Sequence, residues 1–265
     1  MTTIIDSMVS TLKADPRFDQ KVILVTGASS GIGRALALKL AKRGATVILL
    51  GRNEDELDGA YDEILSFGGA TPAIINCDLA NLSLDNADEI AEHIRENFGR
   101  LDGLGHIAGV LGGREPIQSH RPKQWDLALQ VNLTAVFRLT QALLPLLNAS
   151  EAGRIVFATS SVGQRVEAYW GAYAVSKAGL EMFVGMLSQE LENTSDTRVL
   201  IVNPGATRTK MRAEAMPGEN PETLPSSDIV AEAFLYGLTK DAGASHGQRV
   251  NARDLMDALG TWQTP

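Results

Sequence analysis

Val22-Ile-Leu-Val-Thr26 runs directly into Gly27-Ala-Ser-Ser-Gly-Ile-Gly33 and then into Arg34-Ala-Leu-Ala-Leu-Lys-Leu-Ala-Lys-Arg43. The first piece is a short apolar run rich in β-branched residues, the second a glycine turn, the third a helical pattern. In that context glycines let the backbone approach a pyrophosphate, and the helix N-terminus supplies amide donors and partial positive charge. Gly27, Ser29, Ser30, Gly31, Ile32 and Gly33 are therefore the candidate phosphate cradle. A generic tight turn would share the glycines but not the strand and helix on either side.

The same alternation continues outward. Strand candidates fall at 22–26, 46–50, 71–76, 101–107, 154–159, 198–203 and 248–251. Helix candidates lie at 32–43, 54–67, 84–98, 122–148, 172–193 and 227–240. Strand, helix, strand at this spacing requires right-handed crossovers. The expectation is an α/β fold: a single-domain, Rossmann-type, doubly wound parallel sheet of about seven strands with helices on both faces. Residues 1–20 read as an N-terminal extension with a weak helical pattern ending before Pro16. Residues 21–265 read as a dinucleotide-binding catalytic domain. Within it 207–227, punctuated by Pro217, Gly218, Pro221 and Pro225, reads as a substrate lid.

Composition narrows the partners. Lys plus Arg total 24 against 32 for Asp plus Glu, a net charge of −8 without basic clusters, which disfavours nucleic acid and anionic lipid. The first twenty residues carry Asp6, Asp15 and Asp19 and do not read as a signal peptide. No apolar stretch reads as approaching the roughly 20 residues that span a bilayer. The single Cys77 rules out an intrachain disulfide and fits a reducing, cytoplasmic setting. His93, His106, His120 and His246 lack ligand spacing, so no metal is expected.

Cofactor choice is read at the end of the second strand. A carboxylate there would hold a ribose 2′-hydroxyl. Gly51 stands in that place, with Arg52 and Asn53 next in the chain. A guanidinium pairs with a 2′-phosphate that a carboxylate would repel, so NADP(H) is expected over NAD(H). The alternative is a solvated surface arginine. Asp78, beside Leu79, ends the third strand and either accepts from an adenine amino group or caps the next segment.

The chemistry is read from Tyr173-Ala-Val-Ser-Lys177 and Ser160. Tyrosine, with a reference pKa of about 10, needs help to exchange a proton near neutrality. A lysine four residues on shares its helix face and favours the phenolate. Ser160, at the end of the fifth strand, is placed to hydrogen-bond a substrate carbonyl.

With these motifs in hand, the chain from about Lys21 onward resembles the classical short-chain dehydrogenase/reductases, and most strongly the YciK-like bacterial oxidoreductases. The resemblance rests on Thr26-Gly27…Gly31-Ile32-Gly33, on Asp78, and on Asn132 within Val131-Asn132-Leu133. It rests further on Ser160, Tyr173 and Lys177, and on Asn203-Pro204-Gly205 with Thr209 beyond it. It implies that Tyr173 is the general acid/base, Lys177 the ligand of the nicotinamide ribose, and Ser160 the residue that orients the carbonyl. It also implies that Asn132 holds a water leading to Lys177, and that Pro204, Gly205, Thr207 and Thr209 flank the nicotinamide. Ala108 and Gly109 would form the cofactor floor. Asn132 as a simple helix break and Pro204-Gly205 as a simple turn remain open.

Two departures stand out. The family's usual Asn-Asn-Ala-Gly is His106-Ile107-Ala108-Gly109 here, and the C-terminus reads Asn251-Ala252-Arg253 in place of Asp-Gly-Gly. The implied activity is an NADP-dependent interconversion of a carbonyl and an alcohol; the alternative is a non-catalytic NADP-binding regulator on the same fold. Val162, Gly163, Gln164, Trp170, Met211 and Met216 are candidate pocket residues for a small-molecule substrate, and Arg165, Arg208 and Arg212 could favour an acidic one. Apolar helices at 178–191 and 141–147 need a cover beyond the sheet, and in the family they pair across a two-fold axis. A homodimer or homotetramer is therefore expected.

Overall fold

The computed structural model describes residues 3–262. The outer ends of the 1–20 and 21–265 segments, residues 1–2 and 263–265, lie outside the described residues.

Seven parallel strands form one sheet in the order β3-β2-β1-β4-β5-β6-β7. They are β1 Val22–Thr26, β2 Thr46–Gly51, β3 Ala73–Asn76, β4 Gly103–His106, β5 Arg154–Ala158, β6 Arg198–Asn203 and β7 Arg249–Asn251. Strand β1 is buried throughout, as a central parallel strand must be. Its alternate residues face opposite ways: Ile23 and Val25 enter one core, Val22 and Leu24 the other. On the first face lie α2 Gly31–Lys42, α3 Glu54–Ser66 and α9 Ser227–Gly237. On the second lie α4 Leu84–Phe98, α6 Ala135–Asn148 and α7 Gly171–Leu191. The order of strands reverses between β1 and β4, which opens a crevice at their C-terminal ends.

Several boundaries differ from the sequence reading. Strand β3 is shorter at its start and β4 at both ends, because residues 71–72 and 101–102 precede the ladder. The helical run at 122–148 is a continuous span of α5 Pro122–Leu129, a π-turn Gln130–Thr134 and α6. At 27 residues this run is long and apolar enough to cross a bilayer, contrary to the sequence reading. It is a core helix: Leu139, Leu143 and Leu147 are fully buried in the second core, and its apolar length comes from packing on the sheet and α4.

Two helices at the chain ends complete the first face. Helix α1, Ile4–Lys13, starts at a capping box between Thr3 and Asp6 and buries Met8 completely. It packs on α9 and on α10, Ala252–Leu259, an element absent from the sequence reading. Thr11 donates to Asp241 at 2.8 Å, tying α1 to the 3-10 turn Asp241–Ser245 that follows α9. Segment 207–227 contains α8, Lys210–Ala215, and a single 3-10 turn at Pro221–Thr223.

Candidate active site

The crevice is a cleft of about 720 Å³ running from the glycine turn to Tyr173. Its phosphate end is shaped by backbone sterics. Gly27 and Gly31 have φ of +70° and +55°, the left-handed region that glycine enters freely. A Cβ on Gly33 would lie 2.2 Å from the Gly27 carbonyl oxygen, so the turn closes only around a glycine. Gly27, Ser29, Ser30, Gly31, Ile32 and Gly33 all line the cleft at the start of α2. This cradle fits a pyrophosphate.

At the adenosine end Arg52, Asp78 and Leu79 line the cleft, and Asn53 does not. Asn53 instead caps α3, its side chain accepting from the Glu56 amide. The exposed Arg52 forms no ion pair among the described residues. Arg34, also in the cleft wall, is taken up by Glu63 at 2.5 Å. Asp78 makes a local turn, accepting from the Ala80 amide and the Asn81 side chain, each at 3.1 Å. Asp78 thus shapes a local turn while facing the cleft, and the cap of the following helix α4 is Ser83.

The floor after β4 carries Ala108 and Gly109. Thr26 holds it: its hydroxyl accepts from the amides of Ile107 (3.0 Å) and Ala108 (3.1 Å) and donates to the Gly105 carbonyl. Thr26 thus supports two amides of the loop, while Ile107 packs against the first core. His106 is buried, stacked on Phe157 at 5.0 Å, with Nε2 at 3.0 Å from the Thr140 hydroxyl. Thr140 donates to the Val136 carbonyl, so His106 must donate to Thr140. Burial, aided by Lys177, drives His106 down to about 3 and keeps it neutral.

The π-turn aims Asn132 at this floor. Asn132 is fully buried; its side chain accepts from the Val110 amide (2.8 Å) and donates to the Val110 carbonyl (2.9 Å) and Ser176 (3.0 Å). A Cβ on Gly109 would sit 3.2 Å from the Asn132 oxygen and 3.8 Å from Lys177 Nζ, so glycine there allows both to approach the cleft.

Tyr173 and Lys177 lie one turn apart on α7, both buried and both lining the cleft. Burial pushes the Tyr173 hydroxyl above the usual tyrosine range, and the nearby Ser160 hydroxyl, half-buried just beyond β5 and outside the cleft lining, opposes that rise. Lys177 Nζ donates to the Ala158 carbonyl at 2.8 Å and lies 5.8 Å from the Tyr173 ring centroid. The sequence reading, in which the Lys177 charge lowers the tyrosine, is not what governs here: desolvation dominates, and the ammonium addresses a carbonyl. Burial also draws Lys177 down to about 8, with Glu181 opposing.

Glu181 escapes the sequence reading. It accepts from Thr159 (2.5 Å), Gln164 (2.6 Å) and Arg249 (3.2 Å), tying the ends of β5 and β7 to α7. The available signal was its place four residues after Lys177 on the same face.

On the far wall Pro204 and Thr209 line the cleft, while Gly205 and Thr207 lie behind them. Thr207 is buried, its hydroxyl near the carbonyls of Pro204 (3.4 Å) and Gly205 (3.3 Å). Arg253 of α10 donates to the Ala206 carbonyl at 3.2 Å. The unusual C-terminus thus buttresses this loop from behind. Among the described residues no group of acidic, histidine or cysteine side chains could hold a metal ion.

Comparison with known proteins agrees with this geometry. The sequence pattern of the short chain dehydrogenase family matches residues 21–220. The oxidoreductase YciK of Escherichia coli K12 is 43% identical over 235 residues, covering 89% of this chain and 92% of that protein. An oxidoreductase of Staphylococcus epidermidis is 32% identical over 222 residues, covering 83% and 92%. The solved structure of yciK from E. coli superposes with a TM-score of 0.86 at 42% identity, covering 89% of this chain and 96% of that one. A short chain dehydrogenase from E. coli CFT073, crystallised with NADPH, gives the same TM-score and identity over 89% and 98%. The glycine turn, the seven-stranded order and these matches over most of the chain agree that it belongs to the short chain dehydrogenase family.

Proposed function

We propose that this chain is an NADP(H)-dependent oxidoreductase that interconverts a carbonyl and an alcohol on a small-molecule substrate in the cytoplasm. The observation that carries the reading is that Tyr173 and Lys177, one turn apart on α7, are both buried and both line the end of a dinucleotide-shaped cleft, with Ser160 near the tyrosine hydroxyl. NADP(H) is favoured because Gly51 leaves no carboxylate at the ribose and the adjacent Arg52 is free to meet a 2′-phosphate. Relatives at 42% identity that crystallised with NADP or NADPH support that choice.

The residues divide the work along the cleft. Gly27 to Gly33 seat the pyrophosphate, Arg52 the 2′-phosphate, and Asp78 with Leu79 borders the adenine. Pro204 and Thr209 wall the nicotinamide side, supported by Gly205 and Thr207. Bound there, the nicotinamide supplies or accepts a hydride. Ser160 donates a hydrogen bond to the substrate oxygen and stabilises charge developing on it. Tyr173 donates its proton to that oxygen in reduction and takes it back in oxidation. Lys177 holds the ribose hydroxyls, and Asn132 orders a water that leads to Lys177.

We assign 21–265 as the catalytic domain, 1–20 as an extension buttressing it through α1, and 207–227 as its substrate lid. Exposed Val175, Met182 and Met186 on α7 and Phe137 on α6 supply an apolar face for a homodimer, which can pair again into a tetramer. Light scattering at twice or four times the chain mass is its check. The central test is NADPH oxidation over a panel of aldehydes and ketones. Tyr173→Phe is expected to bind NADPH normally and lose roughly 100- to 10,000-fold in kcat. Absence of turnover across the panel, with NADPH still bound, would favour the regulatory alternative.

A further inference from the structure

The sequence offers Arg165, Arg208 and Arg212 as charges for an acidic substrate. Each is already engaged by a carboxylate: Arg165 by Glu167 at 2.8 Å, Arg208 by Glu222 at 2.8 Å, Arg212 by Glu219 at 2.6 Å. Arg114 is different. Its guanidinium stacks 4.5 Å from the Trp170 ring, and Nη1 reaches the Ala215 carbonyl at 2.6 Å and the Met216 sulfur at 2.9 Å. It has no ion pair among the described residues. The neighbouring acids are taken: Glu115 by Arg121 at 2.7 Å, Glu167 by Arg165 and by Trp170 Nε1 at 3.0 Å.

Arg114 Nε is buried without a partner. Among the described residues only two other buried side-chain nitrogens or oxygens share that condition, both ring nitrogens of His120. Both side chains lie against the same short stretch of chain, Trp170-Gly171. Arg114 covers Trp170, and the His120 ring packs so closely on the next residue that a Cβ on Gly171 would come within 3.1 Å of it. Trp170 in turn packs on Tyr173 with ring centroids 5.8 Å apart. The surroundings are apolar: Leu111, Val162 and Ala215 are buried with these rings, and Met211 and Met216 pack against them. An unsatisfied buried donor costs about 1–3 kcal/mol, so Arg114 Nε–H and the one N–H of a neutral His120 call for a ligand that supplies acceptors.

We infer that Arg114 and His120 form an anion-recognising subsite one turn from Tyr173, which selects carbonyl substrates with an apolar body and a carboxylate end. Arg114 Nε and a His120 N–H donate to the carboxylate, Trp170 and the two methionines cover the alkyl portion, and Tyr173 with Ser160 meets the carbonyl. The carbonyl half of this assignment rests on the oxidoreductase reading; the anion half does not.

The test therefore has two arms. Calorimetry on the NADPH-loaded protein compares octanoate with octanol, and NADPH oxidation compares an aliphatic aldehyde with the aldehyde acid of the same length. Wild type is expected to bind octanoate at least about tenfold more tightly than octanol and to show a similar preference in kcat/KM for the acid. Arg114→Met should bring both ratios close to unity, and Arg114→Lys should retain part of each, with thermal melts confirming that both variants fold. Equal binding of octanoate and octanol by wild type overturns the subsite. So does an Arg114→Met variant that loses both ligands alike, since Arg114 would then merely latch the end of α8. An octanoate preference that depends on Arg114, with neither aldehyde turned over, upholds the subsite and refutes the oxidoreductase reading.

Discussion

The two ends of the cleft are built by different means. The phosphate end is a backbone object: Gly27, Gly31 and Gly33 fit because a Cβ at any of them meets main chain or an unfavourable φ. The substrate end is a side-chain object. There, segment 207–227 is held by Arg212–Glu219, Arg208–Glu222 and Lys210–Glu56, and by Arg114 on the end of α8. Tyr169, beside Trp170, carries a φ of +73°. A backbone cradle has one solution and serves any dinucleotide of the right shape. Side-chain ties can be exchanged singly, so substrate choice can change while the cradle stays fixed.

The contrast breaks most visibly at Gly33. Gly33→Ala is expected to lose NADPH binding and about 3 kcal/mol or more of stability, because the clash is with backbone that cannot rotate away. Fluorescence titration and denaturant melts measure both; near-normal binding would mean that the turn is as adaptable as the substrate end. Next is Arg52. Its loss as Arg52→Ala should weaken NADPH by roughly 10- to 100-fold and leave NADH nearly unchanged, since only the 2′-phosphate contact disappears. Equal losses for both nucleotides would move Arg52 out of the cofactor site.

His106 sits at the seam between the two ends and gives a pH signature. It is neutral in the native state down to about 3, whereas the unfolded chain titrates near 6.5. The unfolded state thus binds the proton first. Stability is full above 6.5 and drains as pH falls toward 3. Wild-type Tm should fall over that window, and His106→Asn should flatten the slope; identical slopes would mean that His106 is protonated in the fold. Smallest is Arg212→Ala. Removing this bidentate, partly buried pair should cost about 1 kcal/mol or less and speed hydrogen exchange across 210–219. A global loss of protection would show that the lid is part of the core.

The chain's own order of residues determined the sheet, the cradle and the catalytic helix. Those features depend on local period, on glycine sterics and on an i, i+4 spacing, all of which a linear sequence displays. The seven parallel strands, the glycine turn and the placing of Tyr173 and Lys177 on one helix were readable for that reason. Tertiary structure alone decided the rest. It turned Asn53 into a helix cap and used Thr26 to support a floor where Ile107 offers no polar group. It set burial above the Lys177 charge in tuning Tyr173, because desolvation depends on what surrounds a group in space rather than on its neighbours along the chain. It built α10 into a brace behind Pro204 and neutralised three candidate arginines with carboxylates brought beside them. It also left Arg114 and His120 unpartnered beside Trp170, a condition that exists only once residues far apart in the sequence are packed together.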